Sequence, residues 1–585
     1  MAMYLQKDGI KTELSYKEGQ NVLEVLREHG IEITAPCGGG GRCGKCRIIA
    51  QNAGELSENE KAILSKTDVE NGVRLACCVK VSDGIVISPE GGQGEARILV
   101  DGNLGQLKLD PSVRVRHLSM EAPTAHDQRP DTQRVFDTLS VKVPFSKMNA
   151  LPKALREGGF DLYVTDFAGE MMELCKDEPE ALGAAIDIGT TTVAAYLYDL
   201  KSGERIGVGA SLNAQRTFGA DVITRSDAAS TDEGKAQLPK LIREQVVSMV
   251  SDICIKNGKS INSVRHITIV GNTIMAHLFL GLPTENITKA PFIPVNCEEL
   301  TVNASELSMG LENCKVTVLP CVAGYVGADT VAAVIACGMD KTEELTLLID
   351  IGTNGEIVLG KKGNMICCSA AAGPAFEGAH IECGMGGVEG AISKVWLKDG
   401  EVKFQTIGDV SPKGLCGSGL VDACALLIRE GVVDETGYMD EESELISEND
   451  EGDPVFMIGG GVYLSQKDIR QIQLAKGAIM AGVMSLVKEY GCDVSDIKRI
   501  CLAGGFGNYI SVDSACDIGL LPAKKRDVIG PVGNAAGAGA LIALMDKTAL
   551  EDASSAALSM RYIELSTYPA FQDLFVENML FEAEE

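Results

Sequence analysis

Fourteen residues, APCGGGGRCGKCRI from Ala35 to Ile48, hold three cysteines and five glycines. Cys37, Cys43 and Cys46 follow the spacing C-x5-C-x2-C, and the residues between them supply no apolar neighbours that would make these thiols core filler. Thiols gathered on so flexible a stretch suit metal ligation, because thiolates hold iron or zinc and glycines let backbone N–H groups approach a charged centre. A four-thiolate site needs one more cysteine, and the adjacent Cys77 and Cys78 are the candidates.

Such a loop has to be carried on rigid elements. MAMYLQKDGIKTELSY reads as two alternating strands around an Asp8-Gly9 turn. NVLEVLREHG sets Val22, Leu23, Val25 and Leu26 on one helix face, with Gly30 as its C-terminal stop. Ser57 and Glu60 form a capping box for a helix through Ala62, Ile63 and Leu64. GVRLACCVKVSDGIVIS closes the unit as strand; along it Cys77 and Cys78 point to opposite faces, and Cys77 shares the face of Leu75. Strand, strand, helix, cysteine loop, strand resembles the β-grasp ferredoxin fold, with the plant-type C-x4-C-x2-C spacing lengthened by one residue as in the adrenodoxin-like variant. That resemblance implies a 2Fe-2S cluster on Cys37, Cys43, Cys46 and, following Leu-Ala, Cys77. A zinc site of four cysteines is the alternative, but the run of four glycines suits sulfide-bearing clusters better.

At 585 residues the chain exceeds one hydrophobic core, so two to four domains are expected. The 53 basic and 82 acidic residues leave a net charge of −29, which argues against nucleic acid and against an anionic membrane surface as partners. Nineteen scattered cysteines with no signal peptide point to a reducing cytoplasm. The apolar stretch NAAGAGALIALM from Asn534 is too short to span a membrane. Four regions are expected: a ferredoxin-like domain at 1–88, a linker at 89–112 with one short strand at Ala96 to Val100, a small α+β middle domain at 113–182, and an α/β region at 183–585. His117 and His126 read as surface histidines without chemistry.

The fourth region contains one motif twice. GAAIDIGTTTVAAYLYDLKSG starts at Gly183 and LLIDIGTNGEIVLGKKG at Leu347. Each is an apolar strand, Asp-Ile-Gly-Thr, and a second strand. Gly189, Thr190 and Thr191, and again Gly352, Thr353 and Asn354, offer backbone N–H and side-chain donors to phosphate. Asp187 and Asp350 would hold Mg2+ through water or orient a nucleophile. Neither copy is a Walker loop. RICLAGGFGNYI then runs a strand into Gly504 and Gly505, whose flat backbone resembles the adenosine-binding turn of the acetate kinase, sugar kinase, heat-shock chaperone and actin superfamily. Asp329 reads either as a helix N-cap or as a cleft carboxylate, and GLCGSGLVDA from Gly414 offers helix N–H groups to phosphate, with Cys416 as packing. Asn272 caps a helix in which His277 is a satisfied core residue, and Asp221 with Arg225 reads as a surface ion pair. Two phosphate hairpins and an adenosine turn, in that order, resemble the acetate kinase, sugar kinase, heat-shock chaperone and actin (ASKHA) superfamily, which implies a duplicated actin-like ATPase with ATP in a cleft between two lobes.

A ferredoxin domain joined to such an ATPase resembles the reductive activators of corrinoid proteins, on CGGGGRCGKC, RLAC, AIDIGTTT, LLIDIGTNGE and LAGGFGNYI. The resemblance implies one-electron transfer from a 2Fe-2S cluster to the cobalt(II) corrinoid of a methyltransferase system, driven by ATP, with an upstream electron donor and a homodimer as further partners. Plant-type clusters lie near about −400 mV, and each ~60 mV of one-electron gap costs roughly 1.4 kcal/mol. A more reducing corrinoid therefore stays oxidised without help. The rival readings are an ATP-driven donor to another low-potential enzyme, a small-molecule kinase with an attached redox domain, and a non-enzymatic clamp.

Overall fold

The computed structural model describes residues 2–7, 10–17, 19–29, 31, 41, 44, 46–89, 108–449, 451–507 and 509–581. Cys37, Cys43, the glycines at 38–40, Gly30 and the expected strand at 96–100 lie outside the described residues.

Alternating apolar residues build the first sheet. Ala2–Lys7 pairs antiparallel with Ile10–Ser15, Lys7 opposite Ile10, which is the expected hairpin. Ala2–Lys7 also runs parallel to Val86–Pro89, and Arg47–Gln51 lies antiparallel between Val86–Pro89 and Val73–Leu75. The inward residues Met3, Leu5, Ile48, Leu75 and Ile87 bury the expected face of the helix Val22–Glu28, namely Val22, Leu23, Val25 and Leu26. Both capping-box bonds of Ser57 and Glu60 are present on the helix Glu58–Ile63. This is the mixed β-grasp sheet that the cysteine loop requires.

A three-stranded antiparallel sheet follows: Val113–Ser119, Asp161–Phe167 and Glu170–Cys175. Leu118, Val135, Leu155 and Val164 form its own apolar cluster. His117 is exposed and pairs with Asp161 at 2.8 Å, and His126 is exposed. The stretch before this sheet is fastened to the far end of the chain, where Asp110 N donates to Met545 O at 2.8 Å and Lys547 N to Asp110 O at 2.9 Å.

The duplicated motif produces duplicated sheets. In the first, Leu182–Ile188, Thr192–Asp199 and Arg205–Leu212 form an antiparallel meander, and Leu182–Ile188 is flanked on its other side by parallel Val264–Gly271 and then Lys315–Val318. In the second, Thr346–Ile351, Gly355–Lys361 and Asn364–Ala370 repeat the meander, flanked by parallel Arg499–Ala503 and then Ile529–Gly533. The topology is identical through five strands; each sheet adds a different sixth edge strand.

Between the sheets lie two helices, Ala328–Ala336 and Ala535–Met545, and one apolar cluster joins them to Ala185 and Tyr196 of one lobe and Leu348 and Val358 of the other. The apolar stretch from Asn534 is this buried interlobe helix. No helix among the described residues is long and apolar enough to cross a membrane.

The glycines of that helix set how close the lobes come. A Cβ at Gly539 would stand 2.0 Å from the carbonyl oxygen of Ala332, and one at Gly537 would stand 2.7 Å from the Tyr196 hydroxyl. Backbone cannot retreat as a flexible side chain can, so Gly539→Ala is expected to lose about 1–3 kcal/mol by overpacking, outweighing the ~1 kcal/mol that alanine gains in a helix. Gly386→Ala, where a Cβ meets nothing within 4 Å, is the neutral control. Equilibrium unfolding of the two variants measures this; equal stability would show that the helix contact is not close.

Candidate functional site

The two copies of Asp-Ile-Gly-Thr meet across the interlobe helices. Asp187, at the end of Leu182–Ile188, accepts from Asn534 Nδ2 at 2.9 Å, and Asn534 also caps the helix Ala535–Met545 by accepting from Gly537 N at 2.8 Å. Asp350 occupies the equivalent place in Thr346–Ile351. Gly504 presses on it: its φ is +89°, and a Cβ there would lie 2.5 Å from Asp350 Oδ1. Asp329 stands in the first turn of Ala328–Ala336, where Thr330 N donates to its Oδ1 at 2.7 Å. The cap position itself is Gly327, so Asp329 faces the cleft rather than capping by the usual route.

These carboxyls, with Glu356 on the strand after Asp350, are half-buried and crowd one another. Burial, together with the charge of Asp329, pushes Asp187 and Asp350 up to about 7. Asp329 is itself pushed up to about 6 by burial. Glu356 is held well above the usual carboxyl range by burial and by the charges of Asp329 and Asp350. Acids so placed hold their protons to higher pH than free carboxyls do.

Side chains from later segments brace the two Asp-Ile-Gly-Thr turns. Asn213 Nδ2 donates to Gly189 O at 2.8 Å, and Asn213 N donates to Thr191 O at 2.9 Å. Asn272 Nδ2 donates to Thr190 Oγ1 at 3.0 Å, beyond its expected capping role. Arg225 corrects the sequence reading: it is fully buried, with Nε on Gly219 O at 2.8 Å and Nη2 on Thr190 O at 2.5 Å, while Asp221 caps its helix on Thr224. The i, i+4 spacing did not yield a surface pair, because the guanidinium turns inward to the Gly219 and Thr190 carbonyls. In the second turn Gly352 N donates to Asn354 O at 2.9 Å, and Thr353 Oγ1 donates to Glu377 at 2.9 Å.

Gly504–Gly507 is a single helical turn directly after Arg499–Ala503. Its Phe506 stacks on Phe376, with ring centroids 5.0 Å apart. The helix Gly417–Arg429 begins beneath these rings: a Cβ at Gly417 would lie 2.1 Å from Phe376 O. Ser418 Oγ is spent on Ser393 O and the Cys416 thiol on Ile392 O, and the helix start packs beneath the Gly504–Gly507 turn. His277 is buried, with Nδ1 on Thr273 O and Nε2 accepting from Val295 N, and is satisfied as expected.

At the other end of the chain, Cys46 Sγ lies 3.3 Å from Cys77 Sγ, and Cys78 Sγ lies 3.7 Å from Cys77 Sγ. The strand stops at Leu75 and residues 76–78 form a turn, with Cys78 N on Leu75 O at 2.8 Å. The alternation argument for Cys77 therefore does not apply. The Cys46 thiol and burial both raise the Cys77 pKa. Gly41 and Gly44 have φ of +66° and +65°, and a Cβ at Gly41 would strike Asn59 Nδ2 at 2.5 Å and approach Cys78 Sγ at 3.3 Å. Crowded soft sulfurs beside backbone that only glycine follows comfortably fit an iron–sulfur group. Among the described residues no three His, Cys, Asp or Glu side chains form a metal site; Cys37 and Cys43 lie outside them. Arg74 braces the turn from below. It donates to Glu60 at 2.8 and 3.0 Å, and Glu60 also accepts from Leu75 N at 3.1 Å.

Family comparison covers nearly the whole chain. Residues 5–82 match the 2Fe-2S iron-sulfur cluster binding domain, 103–179 the RACo linker region, 182–342 the RACo middle region, and 344–585 the C-terminal domain of RACo, the ASKHA domain. The corrinoid activation enzyme RamQ of Eubacterium limosum is 33% identical over 606 residues, covering 98% of each chain. The [Co(II) methylated amine-specific corrinoid protein] reductase of Methanosarcina barkeri is 25% identical over 67% of this chain and 76% of its own. A solved structure, the reductive activator for corrinoid, iron-sulfur protein, superposes with a TM-score of 0.73 at 32% identity, over 99% of this chain and 98% of that one.

Two outcomes follow from the site. Carboxyls whose folded pKa is raised destabilise the protein as pH climbs from the unfolded value, about 4, through the folded one. In metal-free buffer, Asp329→Asn should therefore gain stability over the parent from pH ~4 upward, by at most about 1.4 kcal/mol per pH unit, levelling above pH ~7; a pH-independent difference in melting would contradict the crowding. Glu60→Ala leaves the buried Arg74 unpaired and should cost about 3 kcal/mol. Its readout is loss of visible absorbance from the N-terminal domain on mild heating, while the ATPase region stays folded.

Proposed function

This chain belongs to the family of reductive activators of corrinoid proteins, and we propose that it reduces the cobalt(II) corrinoid of a partner methyl-transfer protein to cobalt(I), one electron at a time, at the expense of ATP. The observation that carries this reading is the cleft. Asp187 from one lobe and Asp350 from the other are both buried and both feel the charge of Asp329 on an interlobe helix, so a nucleotide bound among them would be sensitive to lobe closure.

The matched iron–sulfur domain supplies a one-electron couple when its 2Fe-2S group is bound. Cys37, Cys43, Cys46 and Cys77 are the proposed ligands. Cys46 immediately precedes the strand Arg47–Gln51, its O accepting from Ala76 N at 2.8 Å, and Cys77 lies in the turn that Arg74 and Glu60 brace. The choice of Cys77 over Cys78 follows the family resemblance, since the Cys78 sulfur adjoins both Cys77 and the Gly41 turn.

The matched ASKHA domain binds ATP. In the proposed arrangement Gly189, Thr190 and Thr191 face Gly352, Thr353 and Asn354 across the phosphates, with Gly504 and Gly505 beneath the adenosine. Mg2+ would sit between Asp187 and Asp350, displacing the protons that burial keeps there, and Asp329 would orient water towards the terminal phosphate. Closure can assist an uphill transfer only if the closed form binds the cobalt(II) partner better than the open form does. Domain boundaries at 1–88, 89–112, 113–182 and 183–585 are proposed on the same footing, as are an upstream reductant, a homodimer and a cytoplasmic location.

Anaerobic mixing of the reduced chain with a cobalt(II) corrinoid protein, followed by visible spectroscopy, tests the function. Cobalt(I) should accumulate with ATP and form ADP in step, and accumulation to the same extent without ATP would defeat the coupling.

A further inference from the structure

Two cysteines that neither site uses face each other at the edge of the first lobe. The strands Leu300–Asn303 and Lys315–Val318 pair antiparallel with Leu300 opposite Val318. Carried three residues further, that register sets Cys297 directly opposite Cys321. A backbone bond marks the continuation, Cys321 N donating to Cys297 O at 3.0 Å, and Cys321 Sγ lies over the same segment, on Asn296 O at 3.5 Å. Opposite residues of an antiparallel pair project to one face, with Cα atoms about 4.5–5.5 Å apart. A disulfide spans about 4.4–6.8 Å between Cα atoms. Both thiols are free, Cys321 buried and Cys297 half-buried. A hydrogen bond with Cys321 lowers the Cys297 pKa, and the same bond with burial raises that of Cys321. The more accessible thiol is therefore the readier thiolate, as an attacking sulfur must be.

The two thiols belong to segments that meet at the cleft. On the side of Cys297, the stretch 291–297 exposes Ile293 and Val295, while Phe292 packs edge-on against Tyr325 at 5.5 Å and His277 Nε2 accepts from Val295 N at 3.1 Å. A Cβ at Gly324 would stand 2.6 Å from Phe292 O, so this stretch lies against the turn that follows Cys321. On the side of Cys321, Thr273 Oγ1 donates to Ala323 O at 2.6 Å, and a Cβ at Gly327 would meet Asn272 Cα at 2.4 Å. Asn272 holds Thr190 of the first Asp-Ile-Gly-Thr turn, and Gly327 caps the helix that carries Asp329. Six residues therefore separate Cys321 from the point where its segment touches the cleft's own framework.

We propose that Cys297 and Cys321 are a reversible thiol switch, joined by a small-molecule disulfide into a bridge that pins the stretch 291–297 to the turn leading to Asp329. The Cys297 thiolate attacks one sulfur of the oxidant, forming a mixed disulfide and expelling one thiolate, which takes up a proton. The Cys321 thiolate then attacks Cys297 Sγ and expels the second. Two protein thiols are oxidised to one disulfide and the oxidant is reduced to two thiols. A bridge that fixes the turn in one arrangement opposes the lobe closure that nucleotide requires. The pairing of the thiols stands by itself; its effect on nucleotide rests on the reading of the cleft as the ATP site.

Anaerobic treatment of the full chain with glutathione disulfide, followed by peptide mass spectrometry without reductant, tests the pairing. A linked peptide joining Cys297 to Cys321 should form, vanish on reduction, and be missing from Cys297→Ser and Cys321→Ser. Calorimetric titration with Mg2+-saturated ATP then tests the effect. The bridged parent should bind about fivefold more weakly or worse, recovering on reduction, whereas treated Cys297→Ser should bind as the reduced parent does. Glutathione retained on Cys297 alone, or two unmodified thiols, overturns the pairing. A linked peptide with unaltered ATP affinity overturns the switch while leaving the cleft an ATP site. If the reduced parent binds no ATP, the reading of the cleft falls and the switch with it, and the linked peptide alone decides the thiol pair.

Discussion

The close approach of two helices governs the larger part of this molecule. Gly539 lets the helix Ala535–Met545 lie against the backbone of Ala328–Ala336 at Ala332, and both helices start at the same cleft. Because they pack on both sheets, their starts deliver Asn534 to Asp187 of one lobe and Asp329 to within electrostatic reach of Asp350 of the other. A bulkier helix would hold the lobes apart and the acids would no longer feel one another. Packing density, not a catalytic motif, is what makes the cleft electrostatically strained.

That strain has a use. Carboxyls with raised pKa values ionise readily only beside a cation, so on the proposed reading a divalent cation entering with the triphosphate would take the place of their protons. On that reading the free energy of nucleotide binding would be tied to the separation of the lobes, and any partner that prefers one separation would feel the nucleotide. The thiol end of the chain is built on different terms. There the constraint is backbone geometry, with left-handed glycines and a turn at 76–78 bringing sulfur towards sulfur, and a buried Arg74–Glu60 pair fixing the turn's base. One end stores its readiness in charge, the other in conformation.

Much of this was legible in the sequence wherever the signal is local. The capping box at Ser57, the N-terminal hairpin, the paired Asp-Ile-Gly-Thr motifs and the packing role of Cys416 all depend on neighbours a few residues away. What was not legible depends on distance. Arg225 reads as half of an ion pair until the fold shows Thr190 O, 35 residues back, in reach of its guanidinium. Asn534 looks like a helix cap, and is one, but its second bond crosses 347 residues to Asp187. The strand logic for Cys77 failed because the strand ends two residues early, at Leu75, where Glu60 from another helix takes the backbone N–H and the chain turns. Glu356 and Glu377 carried no signal beyond their types, and only the duplicated topology gives them meaning.

Proton bookkeeping at the cleft tests the central claim most directly. Titrating the full chain at pH ~6.5 with Mg2+-saturated ATP, in buffers of different ionisation heat, counts the protons exchanged on binding. If buried carboxyls give up protons to a cation as the lobes close, on the order of one proton should be released per nucleotide, and less in the Asp329→Asn variant. Heat that does not vary with the buffer would mean that the acids are already ionised, and that nucleotide binding is not what relieves their crowding.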